Sequence, residues 1–140
     1  MSYDEAIFQM YLGQVPMFQA CSEDELSAIA YLATPEAVGA GTDVVREGDT
    51  GNDFFVLMMG TATVARGGHE VGKLEPGDFF GELALFDPAP RNATITADVP
   101  LTLAIMERNR FQAALDSVPA LRDALLKGMA RRLHEVDARL

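Results

Sequence analysis

Residues 36–106 leave no room for a long helix. Short apolar runs at Val44-Val45, Phe54 to Met58, Thr61 to Ala65, Val71 to Leu74, Thr94 to Ala97 and Leu101 to Met106 alternate with glycine and proline turns. Gly39, Gly41, Gly48, Gly51, Gly60, Gly67, Gly68, Gly72 and Gly77 mark these turns. Short strands at such close spacing suggest an antiparallel barrel or a jelly-roll-like sandwich. One stretch breaks the pattern. Residues 81–86 read as a short helical turn that Asp87-Pro88 stops. A helix set between two strands of a β-roll marks a functional insertion.

Helical signals flank this region. Residues 3–12 place Ile7, Phe8 and Tyr11 at helical spacing before Gly13 and Pro16. Ser22 and Glu25 form a capping box for a second helix with an apolar face of Leu26, Ile29, Ala30 and Ala33, which Pro35 ends. After Glu107 the helical period returns over 107–116, with Phe111 and Leu115 four apart. A last helix opens at Pro119, and Leu121, Leu125, Met129, Leu133 and Val136 form one stripe along it. That stripe suits either core packing or a homodimer seam. The reading is an α+β chain with one domain over 1–140: helices at about 3–33, an antiparallel β-roll at about 36–106 and two C-terminal helices at about 107–138.

Composition narrows the functional classes. With 11 basic and 21 acidic side chains the formal charge is −10, so the basic stripe that nucleic acid requires is missing. The single cysteine, Cys21, has no internal partner for a disulfide, which points to a reducing, cytoplasmic compartment. No apolar run approaches the ~20 residues that span a bilayer, and the start of the chain lacks the pattern of a signal peptide. His69 and His134 lie far apart in sequence and form no metal-ligand cluster.

Against this acidic background, residues 80–94 stand out. Gly81 opens the helical turn and lets a ligand approach bare backbone, and the free N–H groups at such a start attract an anion. Arg91 adds a fixed cation whose fork geometry suits a phosphate. Glu82 offers two acceptor oxygens of the kind that clasp a sugar hydroxyl. Phosphate, sugar and an apolar base are parts of one ligand, a nucleotide. The plain alternatives are an exposed arginine after a proline and a carboxylate that merely favours the helix dipole.

The chain resembles a cyclic nucleotide-binding domain. Phe80 to Leu85, a four-residue spacer and Pro90-Arg91-Asn92-Ala93-Thr94 match both halves of that family's phosphate-binding cassette. Val15-Pro16-Met17-Phe18, Arg46-Glu47-Gly48-Asp49 and Phe54-Phe55-Val56-Leu57 extend the similarity upstream, over about residues 10–135 in all. The resemblance implies a ligand-binding set of Phe80, Gly81, Glu82, Leu83, Ala84, Arg91, Asn92 and Ala93. Arg91 would take the phosphate, Glu82 the ribose 2′-hydroxyl, and Gly81, Leu83 and Ala84 would act through their backbone. Leu83 and Leu85 are also expected to anchor the turn to the core.

Asparagine at 92, directly after the arginine, is ambiguous between cAMP and cGMP. Nothing at Val71-Gly72 supplies the guanine-reading arginine of cGMP-selective relatives, so cAMP is the expected ligand and cGMP the second choice. The last helix would close over the base, with Met129, Arg132 and Leu133 as candidate lid residues.

No nucleophile–base pair is apparent, no catalytic residue is assigned, and neither a metal nor a cofactor is expected. The expected function is a cyclic nucleotide sensor that couples binding to movement of its C-terminal helices. The competing readings are a degenerate domain of the same fold serving only as an interaction surface, and an anion-binding enzyme with Glu82 as base. The effector is unassigned, and the chain reads as either a free-standing module or the regulatory piece of a longer protein.

Overall fold

The computed structural model describes residues 5–83 and 89–139, with side chains through residue 134. Three helical segments lead: α1 (Glu5–Gln14), a 3-10 turn (Pro16–Phe18) and α2 (Glu23–Leu32). Eight strands follow among the described residues: β1 (Thr34–Val38), β2 (Asp43–Val45), β3 (Phe54–Met59), β4 (Ala62–Arg66), β5 (His69–Leu74), β6 (Phe79–Phe80), β7 (Thr94–Ala97) and β8 (Leu101–Met106). Two helices close the chain, α3 (Arg108–Ser117) and α4 (Pro119–Arg139). The strands form two four-stranded sheets, β1-β8-β3-β6 and β2-β7-β4-β5, with every pairing antiparallel. This is the jelly-roll arrangement expected from the turn spacing.

The first sheet is covered on both faces, which explains why β3 reads Phe-Phe-Val-Leu-Met-Met without a polar break. Strand alternation sends Phe54, Val56 and Met58 towards the helices and Phe55 and Leu57 into the roll. Phe79 and Phe80 divide in the same way between the two cores. The helix-side core stacks Phe54 on Phe111 at 3.9 Å between ring centroids, and the roll core stacks Phe55 on Phe80 at 4.6 Å.

Local details differ from the sequence reading. Pro35 does not simply end α2; it lies inside β1, an edge strand paired among the described residues with β8 alone, where a missing N–H is tolerated. On α1, Phe8 and Leu12 are buried while Ile7 is 44% exposed, so the face is rotated from the one expected. On α4, Leu121 and Leu125 are buried and Met129 packs against the helix-side core, but Leu133 is 65% exposed. Among the described residues no helix is long and apolar enough to cross a membrane.

Candidate functional site

The chain leaves β6 at Gly81 with φ of +88°, a conformation that favours glycine. A Cβ there would lie 2.4 Å from the Asp53 carbonyl oxygen and 3.0 Å from Nη1 of Arg91. The bare backbone expected to admit a ligand thus admits first the arginine and the Asp53 carbonyl that seats it. Of the expected cassette helix, the described residues contain only its start, and Ala84 and Leu85 lie outside them. Leu83 is 53% exposed, which corrects the core role expected for it: its side chain leaves the roll as the chain turns.

Arg91 is half-buried. Its Nη2 donates to the Asp53 carbonyl at 3.0 Å, and its guanidinium lies 5.8 Å from the centroid of the Phe55 ring. Gly51 walls the other side, where a Cβ would come within 2.9 Å of Nη2. Among the described residues no carboxylate lies within ion-pair distance of Arg91. Burial pushes the guanidinium below its ordinary pKa, opposed by the charges of Asp53 and Glu82. An arginine so placed stays charged at neutral pH, and a desolvated cation without a counter-ion attracts an anion.

Glu82 is buried at 5% exposure, the one charged side chain in the interior among the described residues. Its Oε1 accepts from Nη1 of Arg132, on α4, at 2.5 Å. Arg132 also donates through Nη2 to the Phe79 carbonyl, and its guanidinium stacks on the Phe79 ring at 4.3 Å. The helix comes this close because residue 128 is glycine: a Cβ there would sit 2.4 Å from Cε2 of Phe79. Phe80 and Ala93 are buried, Phe80 in the roll core, while Asn92 is exposed.

Of the candidate lid residues, the structure brings Arg132 to the turn, leaves Met129 against the core and Leu133 outward. Asp53, Gly51, Phe55 and Phe79 are site residues that the sequence reading missed. Two of them act through carbonyl groups, which leave no side-chain signature.

A cavity of about 320 Å³ opens beside Arg91, walled by Val44, Val45 and Phe55 and edged by Asp43, Asp49 and Asp53. A second cavity of about 190 Å³, between α1 and the roll, is lined by Tyr11, Gln14, Val15, Pro16, Met58, Met59, Pro76 and Gly77. Its described lining residues include no charged group to hold an anion.

Fold and site together define a class: a helix-flanked β-roll that presents Arg91 and the Glu82 carboxylate at a glycine-opened turn. Comparison with known proteins agrees. The profile of the cyclic nucleotide-binding domain matches residues 35–118. The chain is 32% identical over 132 residues to a cAMP-dependent protein kinase regulatory subunit of Hypocrea atroviridis, covering 94% of this chain and 29% of that one. The regulatory domain of Toxoplasma gondii PKA, co-crystallised with cAMP, superposes with a TM-score of 0.77 at 27% identity, over 91% of this chain and 50% of that one. A cAMP-binding acyltransferase from Mycobacterium smegmatis superposes at 0.80 with 25% identity, over 94% and 42%.

The chain belongs to the cyclic nucleotide-binding domain family. It spans about 30% of the length of the curated relatives it matches.

Proposed function

We propose that this chain is a cAMP-responsive regulatory domain that performs no chemistry on its ligand. The observation that carries this reading is the pair of inward-held charges, Arg91 without a counter-ion among the described residues and Glu82 buried beside α4. In this reading Arg91 takes the cyclic phosphate, assisted by backbone N–H groups after Gly81. Glu82 accepts from the ribose hydroxyl, and Phe80, Leu83, Ala84, Asn92 and Ala93 complete the cassette. Both charged groups are in place, which weighs against a domain that serves only as an interaction surface.

A receptor signals only when its ligand distinguishes two states. Glu82 supplies the distinction, because the oxygen that would receive a sugar hydroxyl lies within reach of Arg132 on α4. Nucleotide binding then redistributes the acceptors of one carboxylate between ligand and helix and shifts α4, the lid of this reading. The outward leucines of α4, Leu126 and Leu133, give an effector or a second copy a surface that reads this shift. We place the domain in the cytosol.

At about 0.3 kcal/mol for each of its roughly 22 non-hydrogen atoms, cAMP would bind with a Kd of about 10 μM. Calorimetry with cAMP and with cGMP tests the reading. Heat with cAMP, weaker heat with cGMP and loss of both in Arg91→Ala are expected. No binding at millimolar ligand would overturn the proposal.

A further inference from the structure

The strand that carries Arg91 is held in an unusual way. Strand β7 begins only at Thr94, so residues 91–93 lie beyond the end of the sheet ladder. Other partners replace the ladder there. The Arg91 N–H donates to the Asp49 carbonyl at 2.8 Å, and the Arg91 carbonyl accepts from the Gly48 N–H at 2.8 Å. The next carbonyl, that of Asn92, accepts from Nε of Arg66 at 2.9 Å. The Thr94 hydroxyl oxygen accepts from the Glu47 N–H at 2.9 Å.

Glu47 makes one contact more. Its Oε1 accepts from the Gly67 N–H at 2.9 Å, tying the 46–49 turn to the turn between β4 and β5. That hairpin turn is built on Gly67 and Gly68, with φ of +60° and +80°, the left-handed pair that matches strand twist. A rigid turn is a sound base for a brace, and Arg66 and Gly67 project from it. Two segments distant in sequence, the 46–49 turn and the β4–β5 turn, thus meet on residues 91–94.

We propose that Arg66 and Glu47, both outside the cassette, are positioning residues for Arg91. They hold its backbone so that the guanidinium is already aimed before ligand arrives. The proposal rests on Arg91 being the phosphate ligand. Preorganisation raises affinity by removing the ordering cost from the binding step. Both side chains are exposed, so their loss removes the brace without opening a core.

The test compares wild type with Arg66→Ala, Glu47→Ala, Glu47→Gln and Arg91→Ala, and with each alanine brace variant combined with Arg91→Ala. cAMP is titrated into each by NMR, to tens of millimolar for the weak binders. Loss of one such hydrogen bond should weaken cAMP about three- to tenfold in Arg66→Ala and in Glu47→Ala. Glu47→Gln keeps an acceptor oxygen for Gly67 and should bind like wild type. In the Arg91→Ala background neither alanine substitution should weaken binding further, because nothing is left to position.

Exchange of the Gly48 and Arg91 amides in ligand-free protein should quicken in both alanine variants. Wild-type affinity in both, or an undiminished loss on top of Arg91→Ala, overturns the brace. If Arg91→Ala itself binds cAMP normally, the phosphate assignment fails instead, and the same titration shows it.

Discussion

Two arginines flank the cassette turn, and each lies over a phenylalanine of the first sheet: Arg91 over Phe55 and Arg132 over Phe79. Their supports differ. Arg91 sits inside the roll on a backbone carbonyl, and its own backbone is pinned by the 46–49 turn. Arg132 reaches in from a helix and holds a carboxylate that a ligand hydroxyl also suits. Among the described residues the first arrangement has no ion pair to yield when an anion arrives; the second has a contact to exchange. In the proposed reading a single turn therefore offers a preset phosphate end and a ribose end wired to α4. That reading assigns affinity to the first and signalling to the second.

The most severe way to break this division is Arg91→Ala. Charge-assisted hydrogen bonds to a phosphate contribute about 1.5–3 kcal/mol, so cAMP affinity should fall about 100-fold. The melting temperature should hardly move, since among the described residues the side chain makes one hydrogen bond to the protein and the backbone bonds of residue 91 survive the substitution. Calorimetry beside thermal melts checks both halves; an unfolded variant would mean that Arg91 is structural.

Next in size is Gly128→Ala. Alanine favours a helix interior by about 1 kcal/mol over glycine, yet its methyl would meet Phe79 at 2.4 and 2.6 Å. Overpacking of this kind costs about 1–3 kcal/mol. Amide exchange should quicken along α4 while the roll strands keep their protection. A variant more stable than wild type would show that α4 does not need this close approach.

These two sites show where sequence was a sufficient guide and where it was not. Gly81, Glu82 and Arg91 lie within a dozen residues, and their chemistry is carried by side chains, so the turn was readable. The seat of Arg91 comes from the Asp53 carbonyl, 38 residues away, and a carbonyl is the same in every residue. The partner of Glu82 is 50 residues away on α4, where several arginines could have served and only packing at Gly128 and Phe79 selects one. β6 has two residues, too few to display a period, and β1 was hidden by Pro35. The outward turn of Leu83 was missed because an apolar residue in a short helix looks like core.

A milder perturbation of the helix end is Arg132→Gln. Removing one partner of a buried pair is costly, but this arginine is 41% exposed, so about 1 kcal/mol is expected. Exchange should quicken about fivefold in the last described turns of α4, with no change at the Gly48 and Arg91 amides. Equal quickening in both places would erase the distinction between the two ends.

The smallest effect serves as a control at the other end of β7 from Arg91. There Thr63 and Lys73 hydrogen-bond Asp98, chiefly Thr63 holding its carboxyl below the ordinary aspartate value of 3.8, while Asp98 raises the Lys73 amine. A carboxyl whose pKa is depressed by folding stabilises the protein above its unfolded pKa. That contribution is lost as pH falls through the folded value. Asp98→Asn should therefore flatten the fall in melting temperature slightly below pH 4 and leave cAMP affinity unchanged. A change in affinity would extend the site to a face that this account leaves out of it.

In the proposed reading the ribose end, through Glu82 and Arg132, carries the signal to α4. Hydrogen exchange of α4 with and without saturating cAMP, in wild type and in Arg132→Gln, tests it most directly. A cAMP-dependent change over residues 126–134 in wild type that vanishes in the variant, while the variant still binds, is the predicted result. The same change in both proteins would contradict it.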